Sequence, residues 1–225
     1  MFRALLFDFD GVLADTEPLH FGAFHDLLKE EGILLTKEEY YSEFLGLDDR
    51  GCFRAVYQKA GQPLSAPKLK ELIQRKNRKI LQKIESGSLL LPQVRELLTA
   101  LGGRYYLAIV SGALRSEIVA ILSKEKLGSF FQVIVSAEEV NHGKPDPEGF
   151  LTALKLLNRD YIPESEMLLP EECLVIEDSP WGIEAAKKAG MKSVAVTNSY
   201  KSEDLKAADW VLASLFDLKA IVGGC

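Results

Sequence analysis

Short apolar runs alternate with longer helical patterns along most of this 225-residue chain. The candidate strands are Ala4–Phe9, Tyr105–Val110, Val133–Val135, Leu174–Ile176, Val194–Thr197 and Trp210–Leu212. Their apolar residues run almost continuously instead of alternating with polar ones, which suits parallel strands covered on both faces. Helical patterns fill most of the gaps, for example Val94–Leu101, Ser116–Leu122, Pro147–Leu157 and Ile183–Ala189. Asp178–Pro180 and Gly190 mark the two ends of the last of these. The pattern predicts an open α/β sheet with helices on both faces. With 47% hydrophobic residues, the chain has enough apolar surface to bury a substantial core.

One region breaks the alternation. Between about Pro18 and Glu85 there is no convincing strand, only helical stretches such as Leu19–Glu31 and Ala66–Ile84, with a turn at Gly61–Pro67. This predicts an all-helical insertion between the first and second strands.

The net charge of −6 supplies no basic field for nucleic acid or an anionic membrane surface. No apolar run approaches the ~20 residues of a membrane span, and the N-terminal run leads straight into acids, unlike a signal peptide. Cys52, Cys173 and Cys225 are odd in number and lack C-x-x-C spacing. A disulfide framework is therefore not expected, and a reducing cytoplasm is.

In open parallel sheets, ligands bind beyond the carboxyl ends of the strands. Asp8 and Asp10 stand at the end of the first strand, Ser111 and Gly112 follow the second, and Glu177 and Asp178 end a later one. Lys144 lies in the loop after Val133–Val135. Carboxylates gathered there repel one another unless a cation joins them, and oxygen-only ligands favour Mg²⁺ when a phosphate also binds. Ser111, its neighbouring backbone N–H groups and Lys144 offer an anion pocket beside such an ion. The arrangement points to phosphoryl chemistry, and no segment matches the glycine-rich phosphate loop of nucleotide triphosphatases. Glu177 and Asp178 are adjacent, so both reach one ion only if the chain turns at Ser179–Pro180; Glu177 is left as a direct or a water-mediated contact.

The segments "DFDGV", "VSGA", "GKPDP" and "IEDS", in this order, resemble the haloacid dehalogenase-like superfamily. The likeness runs from Asp8 to about Asn198 and is strongest to the small phosphatases and β-phosphoglucomutases with a helical cap. It implies a Rossmann-like α/β core domain formed by residues 1–15 and 87–225, with residues 16–86 as the inserted helical cap domain. It also implies that Asp8 is the nucleophile and forms an aspartyl-phosphate. Asp10 is then general acid and base, Ser111 holds the phosphate, and Lys144 balances charge. Asp178 ligates Mg²⁺ with Asp8 and the backbone carbonyl of Asp10. For the acid role, burial and acidic neighbours are expected to raise the Asp10 pKa.

The insertion is expected to close over the site, with Gly11 and the Val12–Thr16 stretch as hinge and Glu85–Ser88 as the return crossing. Gly11, Thr16, His20, Arg50, Lys76 and Gly112 join Ser111 and Lys144 as candidate substrate or phosphate contacts. Arg50 and Lys76 are chosen because their surroundings resemble the mutase cap, where an arginine and a lysine contact the sugar phosphate. Arg75 and Arg78 are read as a solvated helix face, and His25 and His142 as structural or surface residues. His20 remains open between a structural and a catalytic role. The "VSGALR" stretch departs from the mutases and looks more like the phosphatases.

The expected function is a Mg²⁺-dependent phosphatase acting on a small phosphorylated metabolite, with a sugar phosphate foremost. The alternative is a β-phosphoglucomutase-type phosphoryl transfer. A distant alternative is a phospho-accepting signalling domain of the receiver type. A monomer or weak homo-oligomer is expected.

Overall fold

The computed structural model describes residues 1–85 and 87–223. Its strands are β1 (Ala4–Phe7), β2 (Tyr106–Val110), β3 (Val133–Val135), β4 (Cys173–Glu177), β5 (Lys192–Val196) and β6 (Trp210–Leu212). They form one sheet in the order β3-β2-β1-β4-β5-β6, and every neighbouring pair is parallel. Strand order reverses between β1 and β4, so a crevice opens at the carboxyl ends of those two central strands.

Side-chain alternation explains why both faces of the sheet are covered. Leu5, Phe7, Leu107, Ile109, Leu174 and Ile176 join one apolar cluster, whereas Ala4, Leu6, Ala108, Val110, Cys173 and Val175 join another. Helices α5 (Val94–Leu101), α6 (Arg115–Lys124) and α9 (Leu218–Val222) supply apolar residues to the first cluster. Helices α7 (Glu148–Asp160) and α8 (Pro180–Lys188) supply the second. Each fully buried Leu or Ile contributes roughly 1.5–3 kcal/mol.

Between β1 and α5 the chain forms α1 (Glu17–Glu30), α2 (Lys37–Glu39), a π-helical turn at Tyr40–Phe44, α3 (Asp49–Lys59) and α4 (Ala66–Ile84). This segment has its own apolar cluster, including Phe24, Leu27, Phe44, Phe53, Val56 and Leu72. Its helix starts are specified locally. Asp48 accepts from the Gly51 N–H at 2.7 Å and Ser65 from the Lys68 N–H at 3.3 Å. The sequence reading anticipated α1 and α4 but bounded no helix between Lys37 and Lys59.

Two boundaries differ from expectation in ways that matter. β1 stops at Phe7, not Phe9, and the next residues fold into a tight turn in which Leu13 and Ala14 N–H both donate to the Phe9 carbonyl. Gly11, at φ +73°, takes the left-handed conformation that this turn requires. β4 runs to Glu177, so that acid is the last strand residue instead of lying beyond the strand.

The outgoing and returning crossings lie side by side. Asp15 N–H donates to Leu89 O at 2.7 Å, Leu91 N–H donates to Leu13 O at 3.0 Å, and Ala14 and Leu90 pair antiparallel. Within the expected return at Glu85–Ser88, Ser86 lies outside the described residues, as does Cys225. Cys52 and Cys173 are buried free thiols. Among the described residues, no helix is long and apolar enough to cross a membrane.

Candidate active site

The crevice at the carboxyl ends of the strands holds a cavity of about 290 Å³. Its sheet-side wall includes Asp8, Asp10, Ser111, Gly112, Lys144 and Asp178, and its helical wall includes Glu17, His20, Tyr40, Asp48 and Asp49. Residues at the ends of different strands, far apart in sequence, thus meet in one space.

Lys144 Nζ donates to Asp8 Oδ1 at 2.7 Å and forms an ion pair with Glu177. Burial opposes the lysine's charge, but Asp8 and Glu177 outweigh it and hold the ammonium protonated, above the usual lysine range. Asp8 is itself pushed above the usual carboxylate range by burial. Glu177 and Asp10 add to this, and Lys144 opposes it. Asp178 is raised well above that range by burial and by the charges of Asp8 and Glu177, although the Ser199 hydroxyl donates to it.

Asp8, Glu177 and Asp178 are all buried, and each places a carboxylate oxygen within 4.8 Å of the others. One lysine does not balance three such acids. The raised pKa values of Asp8 and Asp178 are the signature of a site that favours an additional cation, and the all-oxygen donor set suits a hard divalent ion. Gly11 keeps this corner clear, because a Cβ there would lie 1.9 Å from Asp178 Oδ2 and 2.7 Å from Ser199 Oγ. The residues present therefore fit a metal.

Glu177 and Asp178 occupy this corner differently. Glu177 Oε2 accepts from Asp178 N–H at 3.1 Å, Ser179 N–H at 3.2 Å and Ser179 Oγ at 2.9 Å. Ser179 in turn caps α8 by accepting from Gly182 N–H at 3.1 Å. The turn expected at Ser179–Pro180 is present, and it folds Glu177 back beneath the cavity wall while Asp178 faces the space.

Asp10 corrects one expectation. Burial pushes its carboxyl up, but the hydrogen bond and charge of His20, the Thr16 hydroxyl and the Lys76 charge together bring it below the usual carboxylate range. The sequence reading counted its acidic neighbours and did not place these partners around it. Thr16 donates to Oδ1, His20 Nε2 lies 3.6 Å from the same oxygen, and Ser111 Oγ lies 3.4 Å from Oδ2.

His20 lines the cavity and reaches both ways, with Nδ1 2.6 Å from Lys76 Nζ. Burial and Lys76 disfavour a charged ring, but Asp10 outweighs them and raises His20 to about 8. Nδ1 accepts from Lys76 only while the ring is neutral. In that state alone His20 keeps both contacts, with Nε2–H facing Asp10.

Gly112 and Ser111 sit where expected, and Ser111 Oγ accepts from the Ala113 N–H at 2.9 Å. Thr16 lies behind Asp10 instead of lining the cavity, and Gly11 acts through the space it leaves. The two cations expected from the inserted helices do not line the cavity either. Lys76 is fully buried, donates to Asp49 Oδ1 at 2.5 Å and lies 4.7 Å from the centre of the Phe24 ring. Arg50 donates to Asp48 Oδ2 at 3.1 Å and to the Ala137 carbonyl at 2.8 Å, fastening the helical segment to the sheet domain.

Glu17, Tyr40, Asp48, Asp49 and Ser199 were not singled out in the sequence. Asp48 and Asp49 stand at a helix start, where acids are ordinary caps, and Glu17 opens α1 for the same reason. Ser199 carried a usable signal, since it follows the apolar run of β5 much as Ser111 follows β2.

Comparison with known proteins agrees with this geometry. Residues 5–196 match the family model described as haloacid dehalogenase-like hydrolase. The protein CbbY of Rhodobacter capsulatus is 31% identical over 95% of this chain and 93% of its own length. A phosphorylated carbohydrates phosphatase of Thermotoga maritima is 31% identical over 85% of this chain and 83% of its own. Among solved structures, β-phosphoglucomutase from Clostridium difficile superposes with a TM-score of 0.85 at 26% identity, covering 99% of this chain and 95% of that one. The strand-end acids, Lys144, strands β2 to β5 and the inserted helices all fall within the matched span, and the chain belongs to the haloacid dehalogenase-like hydrolase family.

Proposed function

We propose that this protein is a Mg²⁺-dependent phosphatase of a small phosphorylated metabolite, a sugar phosphate foremost, working through an aspartyl-phosphate on Asp8. The observation that carries this reading is the contact of Asp8 with Lys144 inside a cavity that also presents Asp10, Ser111 and Asp178. The likeness to a phosphatase of phosphorylated carbohydrates supports the substrate class.

Asp8, Asp178 and the backbone carbonyl of Asp10 would hold Mg²⁺, with Glu177 behind them as a direct or water-mediated partner. When bound, Mg²⁺ offsets the repulsion between a carboxylate nucleophile and a phosphate dianion. Lys144 adds a second positive charge on the same side, and Ser111 and Gly112 seat the phosphate oxygens. The Asp8 carboxylate attacks phosphorus, the ester P–O bond breaks, and the departing oxygen takes a proton from Asp10. Water then attacks the aspartyl-phosphate, Asp10 removes its proton, and inorganic phosphate leaves. The incoming dianion raises the Asp10 pKa from its low resting value. Thr16 and His20 engage Oδ1, and only the longer contact from Ser111 Oγ, at 3.4 Å, reaches Oδ2, so Oδ2 carries the proton once Ser111 turns to the phosphate.

Residues 16–86 form the cap that closes over this chemistry and keeps bulk water away while Asp8 is phosphorylated. The buried free thiols of Cys52 and Cys173 support a reducing compartment such as the cytoplasm. The family assignment sets aside the receiver-type alternative. The close superposition on a β-phosphoglucomutase keeps the mutase reading as the rival.

One assay separates the two. The protein is incubated with Mg²⁺ and a phosphomonoester panel that includes β-glucose 1-phosphate, and free phosphate and glucose 6-phosphate are followed together. Phosphate release is the expected outcome. Fast isomerisation beside slow phosphate release would overturn the phosphatase reading.

A further inference from the structure

In the loop after β5, three consecutive side chains hold three different parts of the molecule. Asn198 Nδ2 donates to the Gly11 carbonyl at 2.7 Å, in the turn that leads out to the inserted helices. The Ser199 hydroxyl donates to Asp178, one of the three clustered acids. Tyr200 Oη donates to the Leu45 carbonyl at 2.9 Å, inside the inserted segment. The Tyr200 ring joins the same parts by packing. It lies against the sheet-side cluster of Ile183, Ala195 and Leu205. Among the described residues, it is also the only one from outside the inserted segment that packs against that segment's own apolar cluster.

Trp181, near the start of α8, completes the contact. A Cβ on Gly46 would lie 3.0 Å from Trp181 Cδ1 and 3.4 Å from Tyr200 Oη. Gly46 also stands at φ +82°, so both the close approach and the backbone require glycine there. The stretch held in this way is part of the site. Leu45, Gly46, Leu47 and Asp48 all line the cavity. Asp48 stands over its phosphate end, where a Cβ on Gly112 would lie 3.6 Å from the Asp48 Cβ. Whatever fixes Gly46 therefore fixes the side of the cavity that faces the rest of a bound ester.

We infer that the Asn198–Tyr200 loop is a brace that sets the inserted segment against the Asp178 corner, and that Tyr200, acting with Trp181 on Gly46, is a positioning residue that holds Leu45–Asp48 over the bound ester. This rests on the proposed phosphatase reading and names what seats its cap on the sheet domain. The leaving group is enclosed only while Gly46 occupies its seat. A phosphate alone, held at Ser111–Gly112 beside Lys144, does not depend on that contact.

The test compares two glycines of the inserted segment. Gly46→Ala and Gly61→Ala add the same methyl at left-handed φ, +82° and +66°, but a Cβ on Gly61 meets nothing within 4 Å. Backbone strain is thus matched, and only Gly46 loses its seat. With Mg²⁺ and the best ester of the panel, kcat/KM is expected to fall at least about tenfold in Gly46→Ala and less than about twofold in Gly61→Ala. Tyr200→Phe keeps the ring and removes the donor. It should cost about two- to tenfold, mainly in KM, and it gives the same reading if Gly46→Ala folds poorly. The Kd of inorganic phosphate, measured by calorimetry in Mg²⁺, should stay within about twofold of the parent in all three. Trp181 reads the seat without turnover. In Trp210→Phe protein, where it is the sole indole, adding Gly46→Ala should move its emission to longer wavelength. Equal losses in Gly46→Ala and Gly61→Ala, unchanged kcat/KM in Tyr200→Phe, or lost phosphate binding overturns the inference. If the unaltered protein hydrolyses no ester, the phosphatase reading fails, while the Trp181 shift still supports the brace and its absence overturns it.

Discussion

Lys144 and Lys76 stand on opposite sides of the same cavity, and both are largely withdrawn from solvent, with side-chain exposures of 15% and 0%. Each is paired with a carboxylate, at 2.7 Å to Asp8 and 2.5 Å to Asp49. The surroundings of the two pairs differ. Lys144 meets a cluster in which Asp8, Glu177 and Asp178 outnumber it, so that corner retains a demand for positive charge. Lys76 donates to Asp49, approaches a histidine nitrogen and an aromatic face, and is further held charged by the buried Glu117, so its charge is spent within the protein. A buried cation becomes chemically useful where its neighbourhood is unbalanced, and becomes architectural where it is satisfied.

The largest effects should fall on the unbalanced side. Asp8→Asn removes the nucleophile and is expected to lower phosphate release by on the order of a thousandfold or more, measured with the best ester of the panel. Lys144→Met should cost about a hundredfold in kcat. Lys76→Met should behave differently, because it leaves Asp49 buried without its partner. A stability loss of about 3 kcal/mol by denaturant titration is expected, with turnover per folded molecule changed only a few-fold. If Lys76→Met loses turnover like Lys144→Met while keeping its stability, the distinction between the two walls is wrong.

Metal and pH sharpen the same contrast. Without a cation, Asp8 and Asp178 have folded pKa values above their unfolded ones, so the folded state holds their protons more tightly. Their contribution is then fully present below the unfolded value of about 4 and is lost as pH rises through the raised values. In chelator, the melting temperature should fall between about pH 5 and about pH 8, and Mg²⁺ should remove most of that fall. A Mg²⁺-induced rise that does not grow with pH would count against Asp8 and Asp178 as the cation's seat.

The smallest effect is expected at the fastening between the two walls. Arg50→Ala removes the bond to the Ala137 carbonyl and should cost about 1 kcal/mol or less in stability, while raising KM several-fold with kcat nearly kept. Trp181 offers a reporter, since a Cβ on Gly46 of the helical segment would lie 3.0 Å from its Cδ1. Its emission should shift to longer wavelength in that variant, and an unchanged spectrum would show that Arg50 does not hold the segment down.

The sheet and its acids were legible because one rule links them: near-continuous apolar runs become buried parallel strands, and polar residues at their carboxyl ends share one edge. Legibility faded where local pattern competes with tertiary placement. Phe9 looked like strand because it is apolar, yet Gly11 turns the chain there. Lys76 was read as a contact to substrate, but the warning was in the helix itself, since Leu69, Leu72, Lys76, Ile80 and Ile84 form its buried face. Arg75 was read as a solvated cation, and it pairs with Glu30, Glu31 and Glu71 at the surface. The Asp10 shift was beyond sequence reasoning, because it depends on Thr16 and His20 turning back from the start of α1.

The adjacent crossings at Leu13–Asp15 and Leu89–Leu91 have a consequence for how such a chain diversifies. A segment that enters and leaves through one doorway can be lengthened, shortened or exchanged without altering the register of any strand. The reactive end of the sheet can then stay fixed while successive inserts offer it different leaving groups, so the choice of substrate becomes a property of a replaceable part.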